Sequence, residues 1–340
     1  MSKLILSLDG GGIRGAASAR FLELIEDKLI SDHQTNLRDC VDFYAGTSTG
    51  SIIALALATT DMPMKQISDL YGPDTAKQIF VDNKGWFEID GINAPKYEAS
   101  GKTTILETQL GNAKVDDVPT GKHVLAVAYD IEKRRPEVIK STNPLHRELL
   151  SSQVADVSSA APTFFPTRDI DIADDPDEWL IDGGVTANNP TMCVIAEAKK
   201  EWPDVSIDDM RLLSIGTGYR TRKINGPASR KWGAIQWFTQ GQILDVLSDE
   251  RVVAYQAITL MKQGSYIRVN ANMSKHDGLP YPPDDAMDDI SLSNIKKLRD
   301  MGEWWFEKYG DAAIQLILGQ YNGPSLDRID PATGNPKANS

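Results

Sequence analysis

The chain contains 340 residues, of which 25% are charged, and it carries a formal net charge of −12 at pH 7. Such an acidic protein lacks the broad basic surface that attracts nucleic acids and anionic membranes. We therefore expect no nucleic-acid polymer as a partner and only local, apolar contact with lipid. The two cysteines, Cys40 and Cys193, are too few for a disulfide framework and predict free thiols in a reducing cytosol. Neither a signal peptide nor an apolar stretch of about 18 residues is found, which predicts a cytoplasmic protein that is peripheral at the membrane when active.

Short apolar runs alternate with helical patterns along the chain. The runs predict strands over residues 3–8, 41–45, 123–131, 137–142, 178–181, 212–215 and 266–270. Apolar residues at helical spacing predict helices over residues 16–30, 51–59, 64–79, 145–157, 191–202, 235–262 and 292–309. Strands that alternate with helices in this way predict a layered α/β fold with a mostly parallel central sheet.

No internal repeat or linker divides the chain. We therefore expect one domain over residues 1–320, with its main motifs within residues 4–220 and a mainly helical part over residues 230–320. The polar residues 321–340 predict a flexible tail. Residues 81–101 combine glycines and a proline with aromatic side chains, and a long loop of this kind often forms a lid over a site.

A Gly-x-Ser-x-Gly motif at residues 46–50 lies between a predicted strand and a predicted helix. This is the spacing of a nucleophile elbow, in which the serine sits on a sharp turn and the glycines allow a close backbone approach. The start of a helix just after Ser48 would favour negative charge on its side chain. The pattern indicates a nucleophilic serine, although a glycine-rich turn with Ser48 as a helix N-cap has the same spacing.

Three glycines, Gly10, Gly11 and Gly12, follow the first predicted strand and precede the first helix. Backbone N–H groups here, including those of Ile13 and Arg14, can converge on an anion, as acyl transfer requires for its oxyanion. The same residues match the G-x-G-x-x-G dinucleotide fingerprint, which requires an acidic residue at the end of the next strand. That strand instead runs into the serine turn, which disfavours a bound nicotinamide or flavin.

An activated serine needs a base, and the sequence contains two candidates. His276 follows the last predicted strand, in the chain order of a Ser-Asp-His triad, but its polar segment is typical of an exposed loop. Asp182 ends an apolar strand and precedes two glycines, so its carboxylate is placed to face a neighbouring loop. Partial burial would raise its pKa and make it a better base, whereas an Asx turn is the competing interpretation.

Together these segments are far more specific than any one of them. Asp-Gly-Gly-Gly-x-Arg-Gly at residues 9–15 is followed by Gly-x-Ser-x-Gly and then by Asp-Gly-Gly at residues 182–184. In this order the chain resembles the patatin-like phospholipases. The segments at residues 158–166 and 188–190 add to the resemblance, which spans at least residues 4–220.

The resemblance implies a three-layer α/β/α fold and hydrolysis of acyl esters, typically those of phospholipids at a membrane surface. Carried over by position, Ser48 would be the nucleophile and Asp182 the base. Backbone N–H groups of residues 10–14, chiefly those of Gly11 and Gly12, would form the oxyanion hole. The resemblance implies no cofactor and no metal, and the sequence contains no cluster with zinc-ligand spacing.

Small bacterial members of the family include phospholipases that a cyclic nucleotide activates in defence against phages, and this chain is similar to them in length. A local basic run suits such an anionic ligand: Arg220, Arg222, Lys223, Arg230 and Lys231. Nearby aromatic residues contact lipid or pack in the core, and core packing is the favoured interpretation: Trp232, Trp237, Phe238, Trp304, Trp305 and Phe306. A constitutive esterase or lipase and a triad esterase that uses His276 are the alternatives, and the oligomeric state stays open.

Overall fold

A computed structural model describes residues 2–83, 94–172, 175–221, 223–233, 236–237, 249–276 and 278–339. In this part of the chain, no helix has both the length and the apolar character needed to cross a membrane. The aromatic pair Trp86 and Phe87 of the predicted lid lies outside the described residues, as do Arg222 and Phe238.

A mixed sheet of ten described strands forms the middle layer of the fold. The strands are β1 (Lys3–Leu8), β2 (Phe43–Thr47), β3 (His123–Asp130), β4 (Arg135–Lys140), β5 (Arg168–Ile172), β6 (Asp175–Asp182), β7 (Met210–Ile215), β8 (Tyr266–Val269), β9 (Ser325–Asp330) and β10 (Asn335–Asn339). They follow the order β10-β9-β8-β7-β1-β2-β3-β6-β5, with β4 also paired to β3. The neighbours from β9 to β3 run parallel, and the antiparallel pairs lie at the two ends. This confirms the predicted mostly parallel central sheet.

Helices cover both faces of this sheet. Within the described residues they are α1 (Gly15–His33), α2 (Leu37–Cys40), α3 (Thr49–Thr59), α4 (Met64–Asp69), α5 (Pro73–Ile79), α6 (Ala99–Leu110), α7 (Ser151–Ser158), α8 (Gly184–Ala187), α9 (Thr191–Glu201), α10 (Gly226–Ser229), α11 (Arg251–Leu260) and α12 (Leu292–Ile317). Side chains of α1, α3 and α12 belong to one apolar cluster, and those of α9 and α11 belong to a second. The result is the predicted three-layer α/β/α fold.

The first strand shows how the two apolar clusters meet the sheet. Leu4, Leu6 and Leu8 join the cluster of α1, α3 and α12, whereas Ile5 joins the cluster of α9 and α11. Successive side chains of a strand point to opposite faces, so β1 is covered on both sides. Coverage on both sides explains why its side chains are mostly apolar, and the buried Ser7 hydroxyl accepts the Thr191 hydroxyl at 2.8 Å.

Two predicted helices are interrupted in the structure. The helix expected over residues 64–79 is interrupted between α4 and α5, where Gly72 precedes Pro73. Proline is accommodated at the start of a helix but not in its interior, so a new helix begins there. The helix expected over residues 145–157 is a short 3-10 turn at Pro144–His146 followed by α7.

The last residues of the chain also differ from expectation. Where the polar composition of residues 321–340 suggests a flexible tail, the structure has the antiparallel pair β9 and β10. β9 adds to the sheet beside β8, and the Ile329 N–H donates to the Asn270 carbonyl at 2.9 Å. Backbone hydrogen bonds to the sheet edge hold this segment without a long apolar run, so composition alone did not indicate it.

Candidate active site

Ser48 stands at the turn between β2 and α3, and its backbone is strained. Its φ of 53° and ψ of −124° lie outside the regions that residues other than glycine prefer. The Ser48 carbonyl accepts both the N–H and the hydroxyl of Ser51, at 2.9 and 2.6 Å, as α3 begins. The Ser48 side chain therefore lies at the N-terminus of α3, where the helix dipole favours negative charge.

The two glycines of the motif are required because the backbone of neighbouring segments passes close to them. A Cβ at Gly46 would lie 2.3 Å from the Gly50 carbonyl oxygen. A Cβ at Gly50 would lie 2.2 Å from the Leu8 carbonyl oxygen. Neither oxygen can move away without displacing β1 or α3, so the packing of these elements explains the Gly-x-Ser-x-Gly spacing.

Asp182 is the last residue of β6, and it lies beside Ser48. Although β6 is antiparallel to β3, it pairs only with the end of that strand, where Asp182 lies opposite Ala128. The Asp182 N–H donates to the Ala160 carbonyl at 3.0 Å, and its Oδ1 accepts the Gly184 N–H at 2.7 Å. The Ser48 hydroxyl lies close enough to the Asp182 carboxylate to lower its pKa. The structure thus brings together the two residues that the sequence suggests as nucleophile and base.

The environment of Asp182 sets its pKa. Burial raises the pKa of Asp182 to about 6, while hydrogen bonds from Ser48 and Gly184 and the charge of Lys102 act to lower it. Both members of the pair are nearly enclosed, with Asp182 5% and Ser48 8% exposed. A carboxylate with this pKa is ionised at neutral pH and is a stronger base than an ordinary aspartate. The pair can therefore move a proton from the serine hydroxyl to the carboxylate.

The glycine turn after β1 leaves two N–H groups without an acceptor among the described residues. Three N–H groups of this turn already donate to backbone carbonyls: Gly10 to Asn188 at 3.0 Å, Ile13 to Met287 at 2.9 Å and Arg14 to Gly11 at 3.2 Å. Of the five N–H groups expected to form the oxyanion hole, those of Gly11 and Gly12 are therefore the two that can still donate to a substrate. Hydrogen bonding within the fold, which the sequence does not show, occupies the other three.

Both remaining positions need glycine. Gly12 has a φ of +57°, and a Cβ there would lie 2.3 Å from the Met287 carbonyl oxygen. A Cβ at Gly11 would lie 2.2 Å from the Thr217 hydroxyl oxygen. Because Thr217 Oγ1 also donates to the Gly10 carbonyl at 2.8 Å, the turn is fixed from behind by a buried contact.

An apolar pocket contains Ser48, Asp182 and Gly12 in its lining. Its empty volume is about 800 Å³, including the space open to solvent at its mouth. Most of the other lining side chains are apolar, among them Ile13, Ile52, Leu70, Phe80, Leu106 and Phe165. Burial of an acyl chain against such a lining removes apolar surface from water, so the pocket suits a lipid ester.

His276 lies away from this pocket, and no histidine of the described chain lines it. The His276 Nε2 atom lies 3.3 Å from the Asn272 carbonyl oxygen, and its ring centroid is 5.3 Å from that of Trp304. The aromatic packing holds the imidazole against α12. The triad alternative therefore has no histidine in contact with Ser48.

The other predicted contact surfaces are separate from the pocket. Trp304 and Trp305 of α12 are buried in the core, as the core-packing interpretation predicts. Arg220 pairs with Asp285 at 3.3 Å. Three cationic residues of the basic run are exposed: Lys223, Arg230 and Lys231.

The layered fold, the serine on a strained turn, the buried carboxylate beside it and the apolar pocket together define an α/β acyl ester hydrolase. Residues 6–195 match the patatin-like phospholipase family. The chain is 31% identical to Patatin-like protein 3 of Arabidopsis thaliana, over 93% of this chain and 83% of that protein. It is 30% identical to Patatin-like protein 4 of the same plant, over 88% of this chain and 82% of that protein. The chain therefore belongs to the patatin-like phospholipase family and is a lipid acyl hydrolase.

One solved structure is also similar to this fold. VipD from Legionella pneumophila aligns with a TM-score of 0.45 at 12% sequence identity, over 89% of this chain and 67% of that chain. At this distance the likeness adds nothing to the assignment, which rests on the family match and the plant relatives.

Proposed function

We propose that this protein is a phospholipase of the A type, which cleaves acyl esters of membrane phospholipids with Ser48 as nucleophile and Asp182 as general base. The observation that carries the proposal is the position of Ser48, on a strained turn, beside the buried Asp182 carboxylate within one apolar pocket. The name of the matching family, patatin-like phospholipase, supports a phospholipid as the substrate.

In the proposed reaction, Asp182 accepts the hydroxyl proton of Ser48 as the serine oxygen attacks the ester carbonyl carbon. The carbonyl oxygen becomes an oxyanion, which the N–H groups of Gly11 and Gly12 stabilise. Collapse of this intermediate releases the lysophospholipid, which takes the proton from Asp182 and leaves the acyl group on Ser48. Water then attacks the acyl ester, again with Asp182 as base, and the free fatty acid departs.

Hydrolysis of phospholipid vesicles by a set of variants tests this proposal. Ser48→Ala and Asp182→Asn are expected to lose about 10²–10⁴-fold or more in kcat, because each removes a partner of the proton transfer. His276→Ala should keep wild-type activity. A fluorophosphonate probe should label the wild type and spare Ser48→Ala.

Ser152→Ala is the matched control, because Ser152 carries a buried hydroxyl without a hydrogen-bond partner among the described residues. It should hydrolyse lipid like the wild type. Activity that is lost in His276→Ala and kept in Asp182→Asn would replace the dyad by a triad. A wild type that neither hydrolyses lipid nor reacts with the probe, with or without added cyclic nucleotides, would overturn the enzymatic assignment.

The proposal also predicts the pH dependence of the reaction. Asp182 must be ionised to accept a proton, and its pKa is about 6. The kcat/KM of the wild type should therefore fall about tenfold per pH unit below pH 6 and level off above it. An acid limb centred near the ordinary aspartate value of about 4 would contradict the assignment of a buried Asp182 as the base.

We further propose that a cyclic nucleotide activates lipid hydrolysis, in a defence role against phages. Exposed Arg230 and Lys231 can contact its phosphates. The rings of Trp232 and Trp237, whose centroids are 5.4 Å apart, offer an aromatic face for a base next to these cations. Vesicle hydrolysis with a panel of cyclic nucleotides should show stimulation in the wild type and none in an Arg230→Glu, Lys231→Glu variant. The double variant Lys28→Glu, Lys65→Glu, at exposed positions of α1 and α4, is the charge-matched control, and a wild type that no nucleotide stimulates is a constitutive lipase.

A further inference from the structure

The carboxyl end of α7 is hydrogen-bonded to both members of the Ser48–Asp182 pair. The Ser48 N–H donates to Ser158 Oγ at 3.1 Å, and that hydroxyl donates to the Val127 carbonyl at 2.7 Å. The Asp182 N–H donates to the Ala160 carbonyl at 3.0 Å. The position of this one short segment therefore sets where the two reacting side chains stand relative to each other.

Lys102 of α6 holds the same end of α7. Its Nζ donates to the Asp156 carbonyl at 2.9 Å and to Ser159 Oγ at 3.1 Å, and it lies 3.0 Å from Asp156 Oδ1. The side chain is 3% exposed and lines the pocket with Ser48 and Asp182. Both hydrogen bonds that Lys102 donates go to protein acceptors, and the Asp156 carboxylate balances its charge, so Lys102 is placed to hold the protein rather than the substrate. A cation at the carboxyl end of a helix also complements its terminal carbonyls.

Four charged side chains lie near the carboxyl end of α7: Lys102, Asp156, Arg168 and Asp182. The Asp156 carboxylate lies between Lys102 and Arg168, whose Nε is 3.0 Å from Asp156 Oδ2. It also accepts the Thr103 hydroxyl at 2.7 Å. Asp156 is thus balanced by a second cation, Arg168. Among the described residues, Lys102 is the charged group that acts to lower the pKa of Asp182.

We propose that Lys102 is a positioning residue for the lipid hydrolysis assigned above. It fixes the carboxyl end of α7, to which Ser48 and Asp182 are bonded, and it supplies the positive charge that keeps the buried Asp182 in its base form. This inference rests on the proposed function of the pair. Its physical basis is that a carboxylate in an apolar pocket has lost its hydration and needs a nearby cation to stay ionised.

Lys102→Met tests the inference because methionine keeps the unbranched side chain and removes the charge. We expect kcat to fall about tenfold or more, since a displacement of roughly 1 Å at reacting groups can cost about 10²-fold. KM should change little, because Lys102 donates to protein atoms only. The acid limb of kcat/KM should move about one pH unit higher, because Asp182 loses the cation that favours its ionised form.

Lys122→Met is the matched control. Lys122 also donates to backbone carbonyls, those of Asp39 at 3.0 Å and Val41 at 2.7 Å, and it lies outside the pocket lining. Lys122→Met should leave kcat and the acid limb unchanged, although it also removes lysine hydrogen bonds to backbone carbonyls. Equal kinetic effects of the two substitutions would overturn the specific role of Lys102.

The double variant Lys102→Met, Asp156→Asn separates positioning from simple charge balance. It removes the buried carboxylate together with its lysine, so it carries the test even if Lys102→Met alone does not fold. A low kcat and a raised acid limb in the double variant support the proposal. Return of both to wild-type values means that Lys102 only neutralises Asp156 and overturns it. Ser48→Ala separates the two levels of inference, because an active Ser48→Ala refutes the proposed function, whereas a normal Lys102→Met refutes only the positioning role.

Discussion

The sequence Asp-Gly-Gly occurs twice in this chain, at residues 9–11 and 182–184, and the two aspartates have different surroundings. Both are buried, and burial raises the pKa of each to about 6. The guanidinium of Arg268 binds both oxygens of Asp9, with Nη1 2.9 Å from Oδ1. Asp182 instead lies beside Ser48 in the lining of the pocket. The tertiary partner, and not the local sequence, thus decides whether a buried carboxylate anchors the fold or is available as a base.

Asp9 belongs to a buried ionic network beneath the glycine turn. Arg268 is fully buried and also contacts Ser214 Oγ at 2.8 Å and Glu250 Oε2 at 2.9 Å. These residues tie β1, β7 and β8 together at their carboxyl ends. The charge of Asp9 is therefore balanced by a fixed partner, whereas the charge of Asp182 faces the pocket.

The largest effect on stability should follow from removal of Arg268, the cation that binds Asp9. Arg268→Met leaves buried carboxylates without their cation and should lower the free energy of unfolding by about 3–5 kcal/mol, measured by urea denaturation. Adding Asp9→Asn to this variant should recover part of the loss. Lys65→Met removes an exposed pair with Asp69 and should change stability by less than about 1 kcal/mol. An Arg268→Met protein as stable as this control would show that the network does not anchor the fold.

Substitution of Asp182 should raise the free energy of unfolding, whereas substitution of Arg268 lowers it. The folded pKa of Asp182, about 6, lies above the unfolded value of 3.8, so the native state loses stability as pH rises from about 4 through 6. Asp182→Asn removes this cost and should raise the free energy of unfolding at pH 8 by about 1–3 kcal/mol, with no gain below pH 4. Urea denaturation at both pH values measures the difference.

Asp130→Asn is the control for this second prediction. Asp130 is as buried as Asp182, but its Oδ1 accepts the N–H groups of Glu132 and Lys133, each at 2.9 Å, in the turn after β3. Its substitution should give no gain at pH 8. If Asp182→Asn were no more stable than the wild type at that pH, burial would not be the cause of a raised pKa at Asp182.

The smallest effect should come from Asn188, which contacts Gly10 of the first Asp-Gly-Gly segment. Asn188 accepts the Gly10 N–H through its carbonyl, and its amide lies 3.5 Å from the Gly10 carbonyl oxygen, a long and weak contact. Asn188→Ala should cost about 0.5–1 kcal/mol of stability and less than about tenfold in kcat. Thermal unfolding and vesicle hydrolysis check both values.

Asn189→Ala provides the comparison, because Asn189 Oδ1 instead accepts the Thr191 N–H at 3.0 Å as α9 begins. It should cost about 1 kcal/mol as a lost buried hydrogen bond without a change in kcat. A loss of activity in Asn188→Ala much above tenfold would mean that this side chain supports the pocket directly.

Much of the fold was predictable because central strands and amphipathic helices have characteristic patterns. β1 has its predicted bounds because a strand buried on both faces is mostly apolar. β5 was missed because the strands were predicted from apolar runs, and its sequence, Arg-Asp-Ile-Asp-Ile, has two isolated apolar residues at the edge of the sheet. Lys102 was missed as part of the site because a single lysine in a helical segment ordinarily predicts an exposed side chain.

The sequence by itself determined the chemistry of the turns. A Gly-x-Ser-x-Gly motif between strand and helix forces Ser48 into a strained turn, and a triple glycine after a strand leaves backbone N–H groups accessible, because both depend on local backbone geometry. Only the tertiary structure decided that Asp182 lies beside Ser48 while Asp9 pairs with Arg268, that the N–H groups of Gly11 and Gly12 are the ones left to bind an anion, and that Lys102 lies near Asp182. Burial, desolvation and hydrogen bonding between strand ends fix these features, and they depend on segments far apart in the chain.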